Sequence, residues 1–304
     1  MINFEKARAF IYRNARPLDL ARWKYHFENG SREAVMESLI CYQNEDGGFG
    51  HGIEPDFLNP NSTPMATWAA TEIISEIGWE DKSYHVVRGI LQYLESGADF
   101  SAEHKQWLNT VPTNNEYPHA IWWECNGVGE LRYNPTAALA AFILRYAEHD
   151  STVYKLGCET AAQAVEWLLS QELFVEQHIT SCFIRLYYSM KHTSTQIVDM
   201  SAFESRLKAL VNCCICQEKE KWGVEYVTLP SDMFLGRDSI FYADNADLAE
   251  YELQHIRRSQ QTDGSYPVPW QWWTDYKEYE VSANFWRSAI IIKNMRYLKG
   301  FGVI

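Results

Sequence analysis

A glutamine followed by a turn and then an aromatic residue recurs along this chain. That recurrence restricts the fold more than any other feature. It stands in "CYQNEDGGFG" (41–50), "CICQEKEKWG" (214–223) and "RSQQTDGSYP" (258–267), while "WLLSQELF" (167–174) ends a helical run the same way without the glycine. Gln171, Gln217 and Gln261 are spaced by about 45 residues, the length of a helical hairpin with its turns. A repeated residue serves what every repeat needs. Gln43, Gln217 and Gln261 therefore read as braces that hydrogen-bond the orphan backbone groups of neighbouring helix ends. The glycines supply positive φ in the turn, and the aromatic packs across the hairpin.

Helical periodicity fills the stretches between these turns. Val35, Met36, Leu39 and Ile40 share a face, as do Ala66, Ala69, Ile73 and Ile77. Ala161, Ala164, Val165 and Leu168 repeat the pattern, followed by Leu207, Leu210, Val211 and Cys214. Ala246, Ala249, Leu253 and Ile256 continue it, and Phe285 to Leu298 closes it. Thr63–Pro64 and Asn134–Pro135 each read as an N-cap followed by a first-turn proline. "WGVEYVTL" (222–229) is the one fair strand candidate. With no linker or composition shift, residues 1–304 read as a single all-α domain of about six helical hairpins, enough to close into a ring.

The Gln, Asp-Gly-Gly-Phe-Gly and Thr/Ala-rich helix of residues 38–78 resemble the QW-type repeat of terpene cyclases and protein prenyltransferase beta subunits. Residues 250–290 carry a weaker version. The resemblance implies an α/α toroid, with inner and outer helix rings around a central cavity that takes an apolar, isoprenoid-type ligand. The cyclases' Asp-x-Asp-Asp acid run is not present; its nearest counterpart is "ADNAD" (243–247), which makes Asp244 or Asp247 the proton donor if the chain is a cyclase. The transferases' zinc-binding Asp-x-Cys pair is also missing, so no metal is expected and no cofactor is named.

Charge and composition narrow the partners. The net charge of −13 argues against a nucleic-acid backbone or an anionic membrane, both of which reward basic patches. The longest apolar run, Ala137 to Leu144, is too short for a membrane span. The charged start "MINFEKARAFIYRNARPLDLARW" lacks a signal-peptide core. Seven scattered cysteines suit a reduced compartment, so a cytoplasmic location is expected. Oligomeric state is not legible.

Three constellations carry candidate chemistry. In the first loop His51, Glu54 and Asp56 exceed what the turn requires. They suit acid–base work or a divalent metal or, as the plainer alternative, helix capping, pairing with arginines and substrate positioning. "EYPHAIWWECNGVGELRYNPTAA" (116–138) sets Trp122, Trp123 and Glu124 near His119 and Arg132, which suits sugar stacking or cation stabilisation, or else plugs one end of the ring. "PVPWQWWTDYKEYEVSANFWRSA" (267–289) crowds Trp270, Trp272, Trp273, Tyr276 and Trp286, which would line an isoprenoid cavity, form a saccharide platform or fold back as a lid. Arg237 in "GRDS" would hold a diphosphate or carboxylate, or a local acid. The "CCIC" cysteines lack a second ligand pair and read as buried small hydrophobes. Three functions follow: an isoprenoid-type binder or enzyme, a carbohydrate lyase or hydrolase using Glu54, Asp56 and Glu124, and a non-catalytic toroid that binds a ligand or acts as a scaffold. The partner is a small molecule or an oligosaccharide.

Overall fold

A computed structural model describes residues 2–304. Among them are twelve α-helices: α1 (Phe4–Asn14), α2 (Pro17–Phe27), α3 (Arg32–Leu39), α4 (Pro64–Glu76), α5 (His85–Glu95), α6 (Tyr133–Tyr146), α7 (Thr152–Ser170), α8 (Gln177–Thr193), α9 (Met200–Cys214), the single turn α10 (Pro230–Met233), α11 (Ala246–Ser259) and α12 (Tyr279–Gly300). A small antiparallel sheet joins β1 (Phe100–Ser101), β2 (Gln106–Thr110) and β3 (Glu130–Leu131), with Phe100 opposite Trp107 and Leu108 opposite Leu131. The periodic segments fall in helices except at their ends, where Ile40 starts a 3₁₀ turn after α3 and Ile77 caps α4. The strand expected at 222–229 does not form, and only Trp222 and Glu225 make an isolated bridge there.

Helix starts follow the sequence where a hydroxyl or carboxylate can reach the first turn. Thr63 Oγ1 accepts from Ala66 N at 3.0 Å, with Pro64 next in line. Ser151 caps α7 through Tyr154 N at 3.1 Å, and Asp199 caps α9 through Ser201 N and Ala202 N. Asn134 behaves differently from expectation. It has extended φ/ψ before Pro135, but its carbonyl accepts from Asn109 and its side chain from the Cys182 thiol, so it does not cap α6.

The contacts form two compact units. In Leu39–Leu210, α6 packs against α4 and α8 on its flanks, with α7 behind it and α5 against α7. Because α6 is covered on most sides, its run Pro135–Leu144 is buried throughout. Gly157 of α7 lets the two helices approach, since a Cβ there would sit 2.5 Å from Ile143 Cγ2. The sheet covers α4 and α6, with Trp107 N donating to Thr136 Oγ1 at 2.9 Å. In the second unit, residues up to Ser38 with Val211–Ile304, α1 and α2 pack on α12, and α10 touches both α11 and α12.

Each unit contains one copy of the same braced turn. Gln43 Nε2 donates to Gly47 O (2.9 Å) and to Val86 O on α5 (3.1 Å). Gln260 Nε2 donates to Gly264 O (3.2 Å) and to Asn3 O at the start of α1 (3.1 Å). Asn44 N donates to Gly48 O as Gln261 N does to Ser265 O, and Asp46 and Asp263 each accept a backbone N–H two residues on. Gly47 and Gly264 take φ of 89° and 96°, and a Cβ on either would collide with the docked helix, at Gly89 of α5 or Lys6 of α1. The brace in the second copy is therefore Gln260, and Gln261 occupies the place of Asn44. Gln217 is not a brace of this kind. Its amide donates to Ile215 O, and Trp222 fixes that turn through its own N–H to Cys216 O. Gln171 is half-buried and its amide donates to the neighbouring Ser170 Oγ.

Candidate functional site

In the Leu39–Leu210 unit the braced turn runs straight into an irregular loop that is buried from Gly52 to Phe57. His51 stands at its entrance with φ 58°, exposed, and its Nε2 lies 2.8 Å from Asn44 Oδ1. Glu54 and Asp56 point inward, 7% and 4% exposed. Glu54 Oε2 accepts from Asp56 N at 2.9 Å, which shapes the turn between them. The chain then pairs with a second loop: Leu58 N donates to Pro118 O (2.9 Å), Ala120 N donates to Asp56 O (2.8 Å), and Phe57 faces His119 in an antiparallel bridge.

That pairing brings His119 beside the two acids in the backbone register, and His119 is buried as they are. Its Nδ1 lies 2.6 Å from Tyr117 O. A carbonyl only accepts, so Nδ1 carries a proton and donates it there. Two carboxyls and an imidazole thus share one short piece of paired, non-helical backbone. Such groups lose most of their hydration on burial, and a fold that buries them has to hold them by fixed dipoles.

Asparagines fix the backbone of the two loops that carry them. Asn59 Nδ2 donates to Thr113 Oγ1 and Asn114 Oδ1, and Asn59 Oδ1 accepts from Asn61 N. Asn114 Nδ2 reaches Trp123 O, and Asn115 makes a two-way pair with Cys125 N and O. Irregular backbone leaves its own N–H and C=O groups unpaired, and side-chain amides replace the missing ladder. The two loops are therefore locked before any ligand arrives.

The tryptophan pair of this region divides. Trp123 is buried with its ring 5.2 Å from Phe57, whereas Trp122 is 40% exposed and Glu124 is exposed beside it. Among the described residues no group of three or more His, Cys, Asp or Glu is arranged to hold a metal ion.

The other candidates belong to the second unit. Asp244 and Asp247 are both exposed, on the short turn before α11 and on its first turn. Arg237 binds Glu250 at 2.6 Å through Nη2 and Phe301 O at 3.0 Å through Nη1, with its guanidinium over the Phe301 ring. Trp272 is core. Trp270 is fixed by Tyr279 Oη donating to its carbonyl at 2.6 Å, and its ring meets Trp286 at 5.2 Å and Tyr226 at 5.4 Å, both edge-on. Trp273 is 71% exposed at a positive φ of 56°, and Tyr276 is also exposed. The structure thus sets Asp56 next to Phe57 in the backbone bridge to His119, with Glu54 two residues further back, all three buried. Asp244, Asp247 and Arg237 are exposed on the other unit, and Arg237 is paired with Glu250 instead of either aspartate.

Sequence reasoning passed over two groups. His119 was legible only as a neighbour of the tryptophans, since its partner loop lies some sixty residues earlier. Glu252 is fully buried on α11, and the signal for it was an acid on the apolar face set by Ala249, Leu253 and Ile256. Comparison with protein-family models, with curated proteins and with solved structures finds no match to this chain.

Proposed function

We propose that this chain is an α/α toroid of six helical hairpins that binds a small polyhydroxylated ligand of saccharide class and acts on it by acid–base chemistry. The observation that carries the reading is the burial of Glu54, Asp56 and His119 on paired loops pre-locked by asparagines. Preorganised polar groups aimed at developing charge are what acid–base catalysis requires, and a purely hydrocarbon ligand has no use for them. A mostly helical chain of twelve α-helices, one of them the single turn α10, is the coarse feature in keeping with the toroid. At a glycosidic bond one carboxyl would give its proton to the departing sugar oxygen. The other would take a proton from the attacking water, leaving two hydroxyl products. His119 would position the pair, and exposed Trp122 would offer a stacking face.

A second reading rests on the aromatic cluster Tyr226–Trp270–Trp286, whose edges would suit an isoprenoid chain. Titration followed by tryptophan fluorescence separates the two, using neutral and acidic oligosaccharides and then polyprenyl diphosphates. Saturable quenching by an oligosaccharide is expected, weakened at least about tenfold, or about 1.4 kcal/mol, in Asp56→Asn and His119→Gln. Quenching by polyprenyl diphosphates alone, lost in Trp270→Ala, would transfer the assignment to the isoprenoid class. No response to either would leave a scaffold.

A further inference from the structure

The unit built from the two chain ends holds its own buried ionisable cluster. The single turn α10 starts at Pro230 and is closed by Leu229 N donating to Asp232 Oδ2 at 2.7 Å. Its first-turn Ser231 donates twice to Glu252 of α11, through N to Oε2 (2.8 Å) and through Oγ to Oε1 (2.5 Å). Lys293 of α12 donates to Asp232 Oδ1 at 2.6 Å. The groups facing Glu252 are therefore Ser231 and Asp232 from α10 and Lys293 and Tyr297 from α12, with Glu250 and Tyr242 acting on the Tyr297 hydroxyl.

Counting charge exposes a mismatch. Two carboxyls share one ammonium, and Lys293 is bonded to Asp232 and a third exposed to water, which screens its pull on Glu252. Glu252 has no exposed surface at all. Burial pushes it up from 4.5 to about 7, against the hydrogen bonds of Ser231 and the attraction of Lys293. The neutral acid keeps every contact: Ser231 N still donates to Oε2, while Oε1 and Ser231 Oγ exchange donor and acceptor roles across 2.5 Å.

We propose that Glu252 is a proton-operated latch on the segment 229–242. As the neutral acid it clamps α10 to α11 and α12, and on ionisation it lets the segment open. What opens with it is specific. The Leu235 carbonyl sits against Gly300, where any Cβ would collide, and Arg237 holds Glu250 and the Phe301 carbonyl. Opening therefore frees the C-terminal end of α12 and the Arg237 guanidinium together.

The closed segment binds one more proton than the open one between 4.5 and about 7. Its resistance to opening therefore falls as pH rises across that window and is flat on either side. Native-state amide exchange of the intact protein tests this, with each rate corrected for intrinsic pH dependence. From pH 4.5 to pH 8 the opening constant of residues 229–242 should rise by about a hundredfold, while amides of α6 stay level. Glu252→Gln should flatten the response. Asp232→Asn should move its midpoint to lower pH, because Lys293 then serves Glu252 alone. A pH-independent segment in the wild type, or an unchanged response in Glu252→Gln, overturns the latch. So does an upward midpoint shift in Asp232→Asn.

Discussion

Gly89 sits inside α5, where helix propensity and packing disagree about the same substitution. Replacing an interior helical glycine by alanine stabilises by about 1 kcal/mol when the site is open. Here the new Cβ would lie 2.5 Å from Gln43 Nε2 and 3.3 Å from Gly47 Cα. The second distance is tolerable with a small shift, but the first displaces the Gln43 amide. Gln43 then loses its bonds to Gly47 O and Val86 O, each worth about 1 kcal/mol net. Gly89→Ala should therefore destabilise by about 1 kcal/mol, two lost bonds outweighing the propensity gain. Gln43→Ala alone should cost about 2 kcal/mol. In that background the obstructing amide is gone, so Gly89→Ala should reverse sign and stabilise by about 1 kcal/mol. The cycle predicts a coupling of about 2 kcal/mol, well above the few tenths expected of independent sites. Urea unfolding of the four proteins measures it, with an unchanged slope as the check that only stability moved. Additive single effects, or a stabilising Gly89→Ala in the wild type, would refute the brace.

The second braced turn allows a comparison of adjacent glutamines. Gln260→Ala should cost about 1 kcal/mol more than Gln261→Ala, because Gln260 bonds Asn3 in both directions as well as Gly264, whereas the exposed Gln261 accepts only from Ser265 Oγ; equal midpoints in urea would put the brace elsewhere. Asp19 is fully buried and accepts from Arg16 at 2.7 Å and Arg22 at 2.9 Å. Asp19→Ala should cost about 3–5 kcal/mol by stranding buried guanidinium charge. Glu250→Ala, which breaks the exposed pair with Arg237, should cost under about 1 kcal/mol; similar losses in thermal unfolding would contradict this reading of their burial.

Why some helices were legible and others were not is a question of end signals as much as periodicity. The helix α4 announces itself with Thr63–Pro64, a hydroxyl cap and a preset φ, ahead of an alanine-rich face. The helix α8 buries Phe183, Leu186, Tyr187 and Met190 at equally regular spacing, yet its cap is Glu176, a residue outside the usual capping set. The strands failed in the opposite direction. Residues 222–229 alternate as a strand should but have only one residue pair to bridge, while β1 and β3 are two residues long and exist because β2 lies between them. Strand identity there is a tertiary property.

The repeat teaches a related lesson about registration. Alignment on the glutamine nearest a 45-residue spacing selects Gln261, because "QQ" offers two choices. Alignment on the acid and glycine selects Gln260, since Gln43–Asp46–Gly47 and Gln260–Asp263–Gly264 share one spacing. The glycine is the better anchor because it alone tolerates a φ near 90° against a docked backbone, whereas many polar side chains could reach a carbonyl. The same reasoning explains the site. Glu54 and Asp56 could be singled out as acids beyond what the glycine turn needs, although Glu54 shapes the next turn through Asp56 N. His119 could not, because what places it beside them is a pair of backbone hydrogen bonds between loops about sixty residues apart in the chain. Surplus relative to local need can be read from sequence; convergence of distant loops is supplied by the fold.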